Sequence, residues 1–228
     1  SPRECKTIQI DPTKLKYKVF MCHKSKSELK GTNALKYIKW GENKGFNNRP
    51  STKSNKPWFS LSDYSSPMLW WVNLGDRYIC FNNYNNLFSD KMFYNLYPLN
   101  NLIEKFIVSL NCLLTRLCSE IWGQELTGNL TFLTHTVEMC RRIEVINPEK
   151  LELNINFDMN REIGNLFYEC GFDKEIPVRE QEPDPLPDRK VLDDIVFDAL
   201  GLTEQERKEV YWAVCELVQN RLNKAKSV

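Results

Sequence analysis

The amino-acid sequence predicts an α+β fold with a mixed or antiparallel sheet, one long packed helix and a C-terminal helical pair. Three features lead there. Between 58 and 98, short aromatic and β-branched runs alternate with Ser, Asn, Gly and Asp clusters, as strands and turns do. From 101 to 122, apolar side chains recur at i, i+3, i+4 and i+7. Beyond 187 helical periodicity returns with its own start and stop signals. A chain of 228 residues can bury a core without disulfide staples.

In chain order, Lys14 to Val19 alternates and predicts a strand, with Lys14, Lys16 and Lys18 on one face and Leu15, Tyr17 and Val19 on a packed one. Residues 33–44 predict a helix, Leu35 and Ile38 on one face and Lys36 and Lys39 on another. The stretch 45–57, with two prolines and little that is apolar, predicts a loop. Strand runs follow at Trp58 to Leu61, Met68 to Leu74, Arg77 to Phe81 and Met92 to Leu96, read as a meander. Ile103, Phe106, Ile107, Leu110, Leu113, Leu114, Leu117 and Ile121 then mark the buried helix. After Gly128, Leu130 to Ile146 reads as a strand with an irregular middle. Leu151, Leu153, Ile155, Phe157 and Met159 alternate as a half-buried strand or an extended arm. Three prolines among acidic residues from Glu180 to Pro187 mark a linker, which divides the chain into 1–179 and 180–228. Val191 to Leu200 is a helix ended by Gly201. Thr203 and Glu206 form a capping-box pair that opens a last helix with Val210, Val214, Leu217, Val218 and Leu222 on one side.

The net charge of +1 averages two unlike regions. Residues 1–60 hold fourteen Lys/Arg against four acids, and 169–210 hold six against thirteen. Positive charge concentrated at one end points to a polyanion partner, the alternative being a solvated Lys-rich face; the acidic end reads as plain surface. No apolar run approaches the ~18 residues of a membrane span. Eight scattered cysteines with no Cys-x-x-Cys read as small hydrophobes in a reducing cytoplasm. A metal site is not expected, because His23 and His135 are far apart and Cys22 lacks a second close pair. The absence of any Gly-x-Gly excludes a glycine-rich phosphate cradle. Catalytic readings find no support either. Neither histidine lies in a nucleophile motif, and ordinary alternation explains Glu138, Glu144 and Glu152.

Lys36-Tyr37-Ile38-Lys39-Trp40-Gly41-Glu42, then Gly45-Phe46, Arg49-Pro50-Ser51 and the Trp58 aromatic follow one another in a specific order. They resemble the target-recognition domain of adenine-specific DNA methyltransferases of the TaqI-like and type IIG restriction-modification kind. Asp90-Lys91-x-Phe93-Tyr94-x-x-Tyr97-Pro98, the apolar helix with Leu110-Asn111, Val145-Ile146-Asn147-Pro148, and Leu192-Asp193-Asp194 through Lys226 are similar to the same family. The resemblance covers most of the chain. It implies a partner domain that binds AdoMet and carries Asn/Asp-Pro-Pro-Tyr/Phe, which this sequence lacks; Asp184-Pro185-Leu186-Pro187 is not a match. The chain therefore looks like the C-terminal specificity part of a larger enzyme, with no cofactor of its own and the N-terminal methyltransferase domain of the same protein as a partner.

A duplex reader holds phosphates with Lys and Arg and reads base edges with Arg, Asn, Gln, Ser or Thr. Lys36 and Lys39 on the predicted helix and Lys44, Asn47, Asn48, Arg49, Ser51, Thr52, Lys53, Asn55, Lys56 and Trp58 after it form the first candidate site. Arg49 is its sharpest member, as a base contact or as a brace paired with an acid. Asn82, Asn83, Asn85 and Asn86 form the second, since Asn can contact adenine bidentately and is equally favoured in turns. Trp70, Trp71 and Trp122 read as core. The expected function is sequence-specific recognition of double-stranded DNA. A stand-alone DNA- or RNA-binding module, and a protein-interaction subunit acting through the C-terminal helices, are the rival readings.

Overall fold

A computed structural model of the chain describes residues 4–62, 65–77, 79–126, 129–153 and 158–226. The chain divides into a smaller unit, 15–64, and a larger one made of 1–14 with 65–228. In the smaller unit, α1 (Asn33–Asn43) starts where Thr32 is extended and its hydroxyl accepts the Leu35 N–H. Ile38 faces inward onto Leu29 and Phe59, with Leu35, Phe20, Cys22 and Trp58 around them. The segment expected as a plain loop contains two short helical turns. Gly45, in the left-handed region at φ 72°, enters a 3-10 turn at Phe46–Asn48. Pro50 then opens α2 (Pro50–Lys53) at the first helical position, where an N–H would be unpaired anyway.

Two strand expectations fail in this region. Trp58 to Leu61 forms no strand, because Trp58 and Phe59 pack edge to face in the small core instead. Lys14 to Val19 forms none either, and Tyr17 and Val19 are 72% and 59% exposed. Alternation alone supplies no neighbouring strand.

The larger unit contains two antiparallel three-stranded sheets. In the first, β1 (Met68–Trp71) lies between β3 (Cys80–Asn82) and β4 (Phe93–Leu96), with Leu69 opposite both Phe81 and Asn95. After Val72 the chain continues into β2 (Asn73–Leu74), which joins the second sheet in the order β2-β6-β5. The aromatic runs are therefore shared between two sheets rather than laid out as one meander. The second sheet is completed by β5 (Gln124–Leu126) and β6 (Asn129–Thr134).

The single long helix expected over 101–122 is two, α3 (Ile103–Asn111) and α4 (Leu113–Trp122), broken at Cys112 with ψ 157°. Side chains from elsewhere take up the backbone groups freed by the break. The Asn111 amide clamps the Cys80 backbone, accepting its N–H and donating to its carbonyl, each at 2.8 Å. Arg189 donates to the Asn111 carbonyl, and Asp193 accepts the Leu113 N–H at 2.8 Å, capping α4 from outside.

The strand expected over 130–146 stops at Thr134, because Thr136 caps a short helix, α5 (Val137–Cys140), by accepting the Met139 N–H. Around 151–159 no strand is seen at the described positions; Ile155 and Phe157, like Gly128, lie outside the described residues. Then come α6 (Leu166–Cys170), α7 (Pro187–Leu200) and α8 (Glu204–Lys226). The helical pair opens and closes as its residues predict: Gly201 is left-handed at φ 68°, and Thr203 and Glu206 exchange cap hydrogen bonds. Val210, Val214 and Val218 of α8 pack with Phe197, Phe167 and Leu113 in the core of this unit.

The acidic segment 180–187 is tied down. Asp184 N–H donates to Cys170 O, Leu186 N–H to Glu169 O, and the Trp212 indole to Gln181 O at 2.7 Å. A Cβ on left-handed Gly171 would lie 2.0 Å from the Asp184 carbonyl oxygen. The division expected at 179/180 thus falls inside the larger unit.

Candidate nucleic-acid interface

Helical spacing of about 100° per residue turns Lys36, Tyr37, Trp40 and Lys44 to one side while Ile38 and Gly41 turn inward. Tyr37 and Trp40, three residues apart, stack with ring centroids 5.4 Å apart and planes at 20°. Phe20 meets Tyr37 edge-on at 5.0 Å, and Phe46 meets Trp40 edge-on at 5.4 Å. The Arg49 guanidinium lies 4.2 Å from the Phe46 ring centre. Four rings and a cation form one continuous strip. Tyr37 is 51% exposed and Trp40 46%.

On the inner side Trp58 presses on Gly41, where a Cβ would come within 2.7 Å of its ring. The Trp58 indole N–H donates to Glu42 at 3.0 Å, and Lys26 pairs with the same carboxylate at 2.5 Å. Lys26 foremost, with help from the indole, holds the Glu42 carboxyl below its usual range. Glu42 is the one acid of α1. Across 15–64 there are eleven Lys/Arg and three acids. Lys36, Lys39, Lys44, Lys53 and Lys56 are exposed and make no ion pair among the described residues.

All twelve candidates between 36 and 58 thus belong to one unit, with different roles. Asn48, Arg49, Ser51, Lys53 and Lys56 are exposed with the lysines of α1; Asn47 and Asn55 are half-buried, and Asn47 donates to the Asn48 side chain. Thr52 and Trp58 are half-buried and bonded within the unit. The Thr52 hydroxyl bonds the Phe46 and Arg49 carbonyls, and Trp58 is the brace just described. Arg49 is braced by a ring rather than by an acid.

The second candidate, in the larger unit, separates in the same way. Asn83 is fully buried, its amide donating to Ser66 O and Leu87 O and accepting the Leu87 N–H. Asn82 is buried, with its backbone bonded to Ile8 and Ile10. Neither amide is placed to meet a base. Asn85 and Asn86 are exposed, and Asn86 is left-handed at φ 49°, as turn chemistry favours for Asn. Trp70 is buried, as expected for core, whereas Trp122 is 40% exposed with Arg142 5.4 Å from its ring. Tyr37 and Trp40 were not among the candidates. Their signal was readable, since both fall on the lysine side of the helical wheel, away from Ile38.

The larger unit also holds a cleft of about 820 Å³ lined by Arg77, Arg161, Tyr168, Glu169 and Asp188 among others. Arg161 pairs with Glu169 and with Asp188 there, and Arg77 donates to the Cys5 carbonyl at 2.8 Å. Among the described residues no group of three His, Cys, Asp or Glu could hold a metal, and no helix is long and apolar enough to cross a membrane. Comparison with protein-family models, characterised proteins and solved structures gives no match.

Proposed function

We propose that this chain recognises a specific sequence in double-stranded DNA, as the C-terminal specificity domain of a cytoplasmic adenine N6 methyltransferase of the restriction-modification kind, and that residues 15–64 are its principal contact unit. The observation that carries the DNA reading is the set of five exposed lysines, Lys36, Lys39, Lys44, Lys53 and Lys56, that make no ion pair among the described residues, around an exposed aromatic strip. Lysine ammonium groups without protein counter-ions suit phosphates, which position a protein on DNA. Arg49, stacked by a ring, suits a base edge, because a supported guanidinium keeps its N–H edge free for bidentate bonding. Asn48 and Ser51 beside it are exposed polar groups of the type that reads grooves. The methyltransferase part rests on the ordered motifs from Lys36 to Trp58. AdoMet and the methyl transfer belong to the partner domain. The protein-interaction reading is less favoured, because the apolar side of α8 is occupied inside its own unit.

Titration of fluorescent duplexes across salt tests this. With about six phosphates neutralised, log K against log salt has a slope near −5. A flat response, or no binding at low salt, rejects the DNA reading.

A further inference from the structure

We infer that the stacked Tyr37–Trp40 pair is a binding site for an unpaired nucleobase, flanked by cations for the phosphates of its strand. The inference rests on the DNA reading above and narrows the ligand. Two large rings stacked on each other, both about half exposed, give an aromatic patch on α1. Phe20 and Phe46 hold that surface from either end, and Arg49 holds Phe46, so the rings are fixed in place before any ligand arrives. Lys36 and Lys44 lie on the same side of the helix, within an arc of roughly 100°, and Glu42, the one acid of α1, is engaged by Lys26 and Trp58. The partner that fits is therefore anionic along its length and carries flat apolar groups. Paired bases offer only their edges to a protein; a ring face becomes available when a base leaves the stack. Chemistry at adenine N6 requires such an extruded base, so a duplex under modification contains unstacked positions.

The experiment compares the full chain on a paired duplex, the same duplex with one unpaired adenine, and a single strand of equal length. The unpaired-base duplex should bind about tenfold more tightly than the paired one, the order of one base–aromatic stack. Tyr37→Leu and Trp40→Leu should each remove most of that preference, while Trp40→Phe retains part of it. Melting curves identify a variant that loses its fold; Tyr37→Leu, at the more exposed position, then decides. Equal affinity for paired and unpaired duplexes, or a preference that survives both leucine variants, overturns the stacking site and leaves duplex recognition standing. A polyglutamate peptide binding more tightly than DNA of equal charge overturns it in favour of an acidic protein partner. Absence of binding to every DNA form overturns both readings.

Discussion

Arg49 can act on the fold or on DNA, and the two roles differ in size and in readout. Its contact with Phe46 is an exposed cation–π pair, worth about 0.5–1 kcal/mol to folding. A bidentate contact to a guanine edge is worth roughly 1–3 kcal/mol of discrimination. Arg49→Ala should therefore barely shift the melting temperature, weaken cognate binding by roughly 1–3 kcal/mol and relax preference at one base position, as a panel of single-base variants will show. A lowered melting temperature with unchanged relative affinities assigns Arg49 to the scaffold. His135 gives a second test, in the larger unit. It is 2% exposed, its Nε2–H donates to Ser119 O, and burial pushes its imidazole below the ordinary value of 6.5. Arg116 and Glu120 are the charged groups that act on it. The unfolded chain therefore takes up a proton near pH 6.5 that the native imidazole refuses, and stability falls as pH drops through that value. Thermal melts at pH 7.5 and 5.5 should show this loss, and His135→Gln should flatten the dependence above the carboxylate range. Stability unchanged between these pH values would contradict the buried neutral imidazole.

At the scale of elements, the divided helix is the clearest case of local pattern meeting tertiary demand. Its apolar spacing runs through Cys112 without interruption, and the side chains that compensate the break lie about eighty residues away, on α7. No window around 112 could reveal them, although Asn111, a polar residue in an apolar run, was a readable clue. Asp193 is fully buried, caps α4, pairs with Arg189 and accepts from the Tyr211 hydroxyl. Removing it leaves a buried guanidinium without its carboxylate, which costs about 3–5 kcal/mol. Asp193→Ala should lower the melting temperature of the larger unit by on the order of 10 °C; a shift under ~2 °C would mean the break has other support. Gly171→Ala tests the tied-down acidic segment in the same way. Left-handed backbone alone costs about 1–2 kcal/mol with a Cβ, and the Asp184 carbonyl must also move. By contrast, the caps of the helical pair were legible because each is local: Gly201 closes α7, and Thr203 and Glu206 open α8 within four residues. The alternation at 14–19 was misleading for the opposite reason, since a strand exists only with a neighbour, and neighbours come from tertiary structure.

For the whole molecule, composition was more informative than any single motif. The excess of lysine over acid in the first sixty residues anticipated a basic surface, and the structure places most of that excess in the unit 15–64. Composition could not say which polar side chains the scaffold would use. Thr52, Trp58 and Asn83 have the same chemistry as base readers, and only their burial and partners in the fold reveal their internal roles. Nor could it show that 45–57 is built from two helical turns that bring Phe46 against Trp40. The most direct test of the central claim is the salt dependence of duplex binding by the intact chain and by Lys53→Gln, Lys56→Gln and the variant in which Lys36, Lys39, Lys44, Lys53 and Lys56 are all glutamine. The predicted result is a slope near −5 that becomes shallower by about one unit for each single lysine in phosphate contact, and nearly flat for the fivefold variant with folding intact. A folded fivefold variant that binds duplex DNA with the parental affinity and slope would contradict the assignment of residues 15–64 as the DNA-contacting unit.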